Sequence, residues 1–154
     1  MNQETVTTPA DQVRRLIAPN ASPMTYWGTN TYLVGQDKIA VIDPGPADPS
    51  HIERIVETAG GSDRISHIFV THAHVDHSLG ARPLSARTGA PIYAYGAAHR
   101  GQSNLMQRLV LDGLSSGGEG IDNDFTPDVQ LEDGEIVQGE GWSLKAIWTP
   151  GHIS

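Results

Sequence analysis

The 154-residue chain reads as an α+β domain in which strands outnumber helices. Three observations predict this class. Asn30-Thr31-Tyr32-Leu33-Val34 and Ile39-Ala40-Val41-Ile42-Asp43 flank a turn at Gly35-Gln36-Asp37-Lys38, with β-branched and aromatic residues on both arms, which predicts a β-hairpin. Asp48-Pro49 supplies an N-cap and an N1 proline for a helix whose apolar residues Ile52, Ile55, Val56 and Ala59 recur at i, i+3, i+4 and i+7 before Gly60-Gly61. The apolar run Ile65-Ser66-His67-Ile68-Phe69-Val70 reads as a buried strand that ends on Thr71-His72-Ala73-His74-Val75-Asp76-His77.

The remaining elements follow in order. Beyond a polar leader, Val13 to Ala18 is a first strand stopped by Pro19-Asn20, and Pro23 to Gly28 leads into the hairpin. Leu79 to Thr88 forms a helix whose first turn is limited by Pro83 and which Gly89 ends. Pro91 to Tyr95 is a strand, Leu105, Met106, Leu109 and Val110 mark a short helix, and Ser115 to Gly120 is a flexible loop. Glu135-Ile136-Val137 and Trp142 to Trp148 are two more strands around a Gly139–Gly141 turn. With no repeat and no linker, residues 1–154 are expected to form a single domain.

Composition narrows the chemistry. The chain has no cysteine, which excludes a disulfide framework and a thiolate metal site, so any metal is held by imidazole and carboxylate. The formal charge of -8, from 18 acidic against 10 basic residues, disfavours a non-specific polyanion binder. No secretory leader and no membrane-spanning apolar stretch are visible, so the expectation is a soluble, cytoplasmic protein.

The cluster after the Ile65–Val70 strand sits where a strand-to-helix loop presents polar side chains into a crevice. His72 and His74 are two apart, so continued strand geometry sends both to one face and to one ion. Asp76 and His77 follow the bend and can serve a neighbouring position. His152 also follows a strand end and a Pro-Gly turn, and is the natural third imidazole for the first ion. Three protein ligands and an open fourth place suit catalytic zinc, whose bound water ionises near neutral pH. A solvated His-rich turn or a structural metal site is the plainer alternative.

His72-x-His74-x-Asp76-His77 resembles the signature of the metallo-β-lactamase-fold superfamily, with Val41-Ile42-Asp43-Pro44-Gly45 and Thr149-Pro150-Gly151-His152 resembling its flanking motifs in matching order. Gly28-Thr29-Asn30-Thr31-Tyr32-Leu33-Val34-Gly35 further resembles the lactamase-β-like endoribonucleases, with glyoxalase II-type thioesterases close behind. The resemblance implies that His72, His74 and His152 hold a first zinc. It implies that Asp76 and His77 contribute to a second, and that Asp76 is the catalytic carboxylate beside the bridging hydroxide. Asp43 would orient a ligand imidazole. Thr71 and Ser78 flank the ligands in the sequence, and both are candidates for hydrogen bonds that support them, neither as a nucleophile. Zinc is the expected cofactor, two ions in the full-length protein, with iron or manganese as substitutes.

The family folds as an αββα sandwich of two similar halves, and the chain matches the N-terminal half, one mixed β-sheet with flanking helices. The remaining ligands of the second metal would lie beyond His152. The expectation is therefore a fragment, or one piece of a homo-oligomer or of an assembly with a complementing C-terminal half. A lone half exposes the inner face of its sheet, at about 25 cal/mol per Å² of apolar surface. The isolated chain is expected to hold no second metal and to show little hydrolysis.

The function implied for the parent protein is zinc-dependent hydrolysis, a metal-bound hydroxide attacking an ester, thioester or phosphodiester. Its substrate would be a small-molecule ester or thioester, or single-stranded RNA, with no membrane involved. The alternative is a non-catalytic metal-binding or interaction domain with an incomplete site. Gly113-Leu114-Ser115-Ser116-Gly117 fits the serine-hydrolase pattern G-x-S-x-G, but a helical segment precedes it where a strand is required, so chance explains it. His51, on the polar side of the first helix, and His67 read as surface or half-buried residues. His99 is a candidate substrate contact. Tyr26 and Trp27 read as packing or a wall of the site, and Trp142 and Trp148 as core.

Overall fold

The computed structural model describes residues 6–113 and 120–152; of Val110 and Leu111 it describes the backbone only. Seven strands form one mixed sheet in the order β1-β2-β3-β4-β5-β6-β7, and β8 and β9 form a separate two-stranded hairpin. The sheet strands are β1 (Thr7–Ala10), β2 (Val13–Ile17), β3 (Asn30–Val34), β4 (Ile39–Ile42), β5 (Ile65–Phe69), β6 (Ile92–Ala94) and β7 (Val129–Gln130); the hairpin strands are β8 (Ile136–Gly139) and β9 (Trp142–Lys145). The helices are α1 (Pro49–Ala59), α2 (Val75–Ser78), α3 (Ala81–Thr88) and α4 (Asn104–Leu111), with a single 3-10 turn at Ser62–Arg64. Among the described residues no helix is long and apolar enough to cross a membrane.

The first four strands are antiparallel neighbours, and β4 to β7 run parallel. The parallel part requires crossovers. α1 supplies the first, between β4 and β5. Asp48 caps it, accepting from the His51 N–H at 2.9 Å, and Gly60 closes it with φ 87. α3 follows β5 in the same way and ends at Gly89. One sheet face and these two helices enclose the main core, which contains Leu16, Leu33, Val41, Ile55, Ile68, Leu84 and Ile92.

The opposite face meets the β8–β9 hairpin. Trp142, 9% exposed, packs there with Ala40, Phe69 and Leu131, and its indole N–H donates to the Lys38 carbonyl at 2.7 Å. This face is therefore partly covered, where a bare one was expected; the hairpin folds back across it. Beside the hairpin a cavity of about 590 Å³ opens between Phe69, Tyr93, Leu131 and Trp148.

Two further expectations change. Thr7–Ala10, read as a leader, pairs with β2 as an edge strand that tolerates Pro9. The last strand stops at Lys145, four residues long to match β8, so Trp148 lies outside it, 45% exposed and stacked on Tyr95 at 5.6 Å. All of the expected Ser115–Gly120 loop except Gly120, and all of the G-x-S-x-G match except Gly113, lie outside the described residues.

Candidate metal centre

Parallel strands β4 and β5 end side by side, with Ile42 opposite Phe69. The residues just past both ends therefore meet at the carboxyl edge of the sheet, where open α/β sheets place their sites. β4 delivers Asp43 there, and β5 delivers the segment from Thr71 to His77. His152 reaches the same place from the chain beyond β9.

The candidate ligand atoms of His72, His74 and His152 lie within 4.8 Å of one another. Their ring centroids are 4.8 Å apart for His72–His74, 5.0 Å for His72–His152 and 4.8 Å for His74–His152. His72 Nε2 is buried and has no protein hydrogen-bond partner among the described residues. Its other nitrogen explains this. The Thr71 hydroxyl donates to Asp43 Oδ2 at 2.8 Å, so its oxygen accepts from His72 Nδ1 at 2.9 Å. The proton is thereby placed on Nδ1, and Nε2 carries a lone pair aimed away from protein donors. A buried, unprotonated nitrogen facing two other imidazoles fits a divalent cation of the zinc type.

Burial, followed by the neighbouring His77 charge, lowers the His72 pKa from 6.5 to about 4. Burial and His152 lower that of His74. Both rings are neutral near pH 7, as ligation requires.

Asp43 organises the other side. It is 7% exposed and has φ 51, a left-handed conformation uncommon outside glycine. Its Oδ1 accepts the Thr71 N–H at 2.8 Å, and Oδ2 accepts both the Thr71 hydroxyl at 2.8 Å and His77 Nδ1 at 2.9 Å. The His77 proton thus sits on Nδ1, and Nε2, 3.4 Å from Asp76 Oδ2, is the nitrogen turned toward Asp76. Burial works against a charge on His77, but the Asp43 hydrogen bond and the Asp43 and Asp76 charges outweigh it and raise its pKa. Asp76 Oδ2 accepts the Thr29 hydroxyl at 2.5 Å, and Asn20 grips Thr29 twice, at 2.9 and 3.0 Å. Gly28, at φ 126, makes this approach possible: a Cβ there would lie 2.1 Å from the Ala18 carbonyl.

The geometry therefore brings together His72, His74 and His152, and beside them Asp43, Thr71, Asp76 and His77. Ser78 is buried, and its hydroxyl lies 3.1 Å from the His74 carbonyl oxygen and 3.0 Å from Asp122 Oδ2, so it supports the backbone of a candidate ligand. His99 is exposed beside Gln102. Tyr26 and Trp27 are 75% and 45% exposed and pack edge-to-face on each other, rather than in the core. His67 is half-buried among Phe69, Tyr93 and Trp142. His51 is not at the surface: it is fully buried, 2.9 Å from Thr31, beneath the Asp43 turn. Its signal was its spacing, since it precedes Ile55 by four residues and falls on the same buried helix face. Thr29 and Thr31, both buried, fall in the Gly28–Gly35 stretch that carried the resemblance, but neither was read as a site residue.

Residues 24–154 match the metallo-beta-lactamase superfamily. The lactamase-like protein aptB of Emericella nidulans is 33% identical over 151 residues, which cover 97% of this chain and 41% of aptB. The atrochrysone carboxyl ACP thioesterase AgnL7 of Paecilomyces divaricatus is 30% identical over 143 residues, covering 92% of this chain and 38% of its own. A metallo-beta-lactamase of Cronobacter sakazakii, mutated in its HARLDQ motif, superposes with a TM-score of 0.68 at 25% identity, over 96% of this chain and 55% of the other. The chain spans about two fifths of the length of the curated relatives it matches. The match along the chain, the shared fold and the relatives agree: this chain belongs to the metallo-β-lactamase superfamily.

Proposed function

We propose that this chain carries the metal-holding part of a hydrolase acting on thioesters. The observation that carries the reading is the buried lone pair of His72 Nε2, facing His74 and His152. His72, His74 and His152 would hold the first ion, and Asp76 and His77 would contribute to a second. Zinc, with iron or manganese as substitutes, supplies Lewis acidity and lowers the pKa of water when bound.

The chain's own residues set the geometry. Thr71 fixes the His72 tautomer, Asp43 fixes that of His77, and Thr29 aims the Asp76 carboxylate. Asp76 is the catalytic residue in this reading: it orients the attacking water and takes its proton. Thioesters are favoured over RNA for two reasons. Relatives such as AgnL7 are named thioesterases, and a chain of formal charge -8 repels a polyphosphate.

The test has two arms. Zinc titration of the 154-residue chain against a chelator is expected to give one tight equivalent, lost in His72→Ala and His152→Ala. Turnover of an acyl-N-acetylcysteamine thioester is expected from the complete gene product, and little from the 154 residues alone. No zinc binding by the chain, or RNA cleavage without thioester hydrolysis by the complete product, would overturn the reading.

A further inference from the structure

We propose that His51, a residue of α1 outside the metal-binding set, is the positioning residue that holds the Asp43 turn in register with the candidate ligands. The inference rests on the roles proposed above for His72 and His77.

The chain of contacts has a fixed direction. His51 Nε2 lies 2.9 Å from the Thr31 hydroxyl oxygen, and that hydroxyl lies 2.6 Å from the Asp43 carbonyl oxygen. A carbonyl has no proton to give, so Thr31 donates to Asp43 and must accept from His51. His51 therefore carries its proton on Nε2. His51 and Thr31 are both 0% exposed, so water does not compete for either link. The remaining nitrogen, Nδ1, finds no protein partner among the described residues. A buried imidazole with one nitrogen unsatisfied costs stability that an aliphatic residue of similar size would not. What it provides in return is the Nε2–H donor.

Through Thr31 the donor bears on a strained point of the site's backbone. Asp43 adopts φ 51, which persists only where its surroundings hold it. Its N–H donates to Phe69 at 2.8 Å, which ties it to β5; its carbonyl is held by Thr31, which ties it to β3 and, through His51, to α1. The imidazole also lies against the turn: a Cβ on Gly45 would sit 3.0 Å from His51 Cδ2. With the main chain of Asp43 anchored this way, its carboxylate reaches Thr71 and His77 together. Rotation of that peptide would swing the carboxylate away from both.

The experiment compares His51→Leu, Thr31→Val and His51→Gln in the 154-residue chain. Leucine and valine sever the chain of donors; glutamine places an amide N–H near the Nε2 position and restores it. Long-range proton–nitrogen NMR of the metal-free protein reports the His77 tautomer and its Nδ1–H, and chelator competition reports zinc affinity. His51→Leu and Thr31→Val are expected to lose the hydrogen-bonded His77 Nδ1–H signal and to bind zinc roughly 10-fold more weakly. His51→Gln is expected to recover the signal and to come within about 3-fold of the parent. If both severing variants only melt at lower temperature, with the His77 signal and zinc affinity unchanged, His51 is a packing residue and the proposal fails. Thr31→Val, nearly isosteric, keeps the comparison valid should the leucine variant not fold. A parent that binds no zinc refutes the metal reading alone, because the NMR arm still decides the positioning role.

Discussion

Replacing Asp43 by asparagine tests the site at its most connected residue. Asparagine tolerates the left-handed φ of 51, so the backbone is not the variable. The change acts on three hydrogen bonds, from the Thr71 N–H, the Thr71 hydroxyl and His77 Nδ1. The amide oxygen can keep the Thr71 N–H, which has only a proton to offer. The amide NH2 then occupies the Oδ2 position and faces two groups that had been donating to it. His77 must present a lone pair on Nδ1 and move its proton to Nε2. Thr71 must accept, so its proton turns to His72 Nδ1, and His72 in turn becomes protonated on Nε2. One substitution thus inverts two imidazoles and puts a proton where each would bind a cation. A single outer hydrogen-bond partner is worth about 10–100-fold in metal affinity, so disturbing two ligands predicts about a 100-fold loss, or ~2.7 kcal/mol. Chelator competition measures the affinity, and long-range proton–nitrogen correlation assigns both tautomers. Zinc binding within about 3-fold of the parent, with His72 and His77 unchanged, would refute the relay from Asp43 through Thr71 to His72.

Two further outcomes follow from other residues of the same frame. Burial, followed by the Arg54 charge, lowers the His51 pKa from 6.5 to about 4. The unfolded chain therefore binds this proton first as pH falls, and the stability present above pH 6.5 is lost progressively down to about pH 4, by roughly 3 kcal/mol; urea titrations of parent and His51→Gln are expected to show a shallower acid slope in the variant, and parallel slopes would contradict it. Thr29→Val keeps the side-chain shape but leaves Asp76 Oδ2 and Asn20 Nδ2 without the hydroxyl of this buried residue between them. A destabilisation of about 1–3 kcal/mol by urea unfolding is expected, and a value near zero would mean that this contact carries nothing.

The fold was legible wherever the cause is local. The Asp48 cap, the Pro49 start and the Gly60 stop bound α1 because each acts within one turn of the helix. β4 and β5 announce themselves as apolar runs because both of their faces are covered. β1 was missed because Thr7-Thr8-Pro9-Ala10 has no strand pattern of its own; the exposed edge strand exists through its pairing with β2. α2, four residues long, is too short for any periodicity. The same division holds at the site. Three histidines and an aspartate within six positions are visible without a structure. The outer residues are not, because Asn20, Thr29, Thr31 and His51 belong to the site only through contacts spanning between 9 and 47 residues of sequence.

The three candidate imidazoles are not held alike, and the difference follows from where they lie in the fold. His72 and His74 leave the end of a central strand, and His74 is further tied by a bridge to Ile121 and by the α2 turn, where its carbonyl accepts from His77 and Ser78. Their positions are set before any ion arrives, and burial keeps them unprotonated. His152 is exposed and reaches them through the segment after β9. That segment is guided by two contacts of Trp148: its backbone N–H donates to Asp133 Oδ1 at 2.9 Å, and its ring stacks on Tyr95. Tyr95 follows directly on β6, the sheet neighbour of the strand that delivers His72. The third imidazole is therefore registered against the first two through an aromatic pair at the same sheet edge. Trp148, which the sequence pattern assigned to a buried strand, instead joins two distant parts of the chain, on the path that brings His152 to within 4.8 Å of His72 and His74.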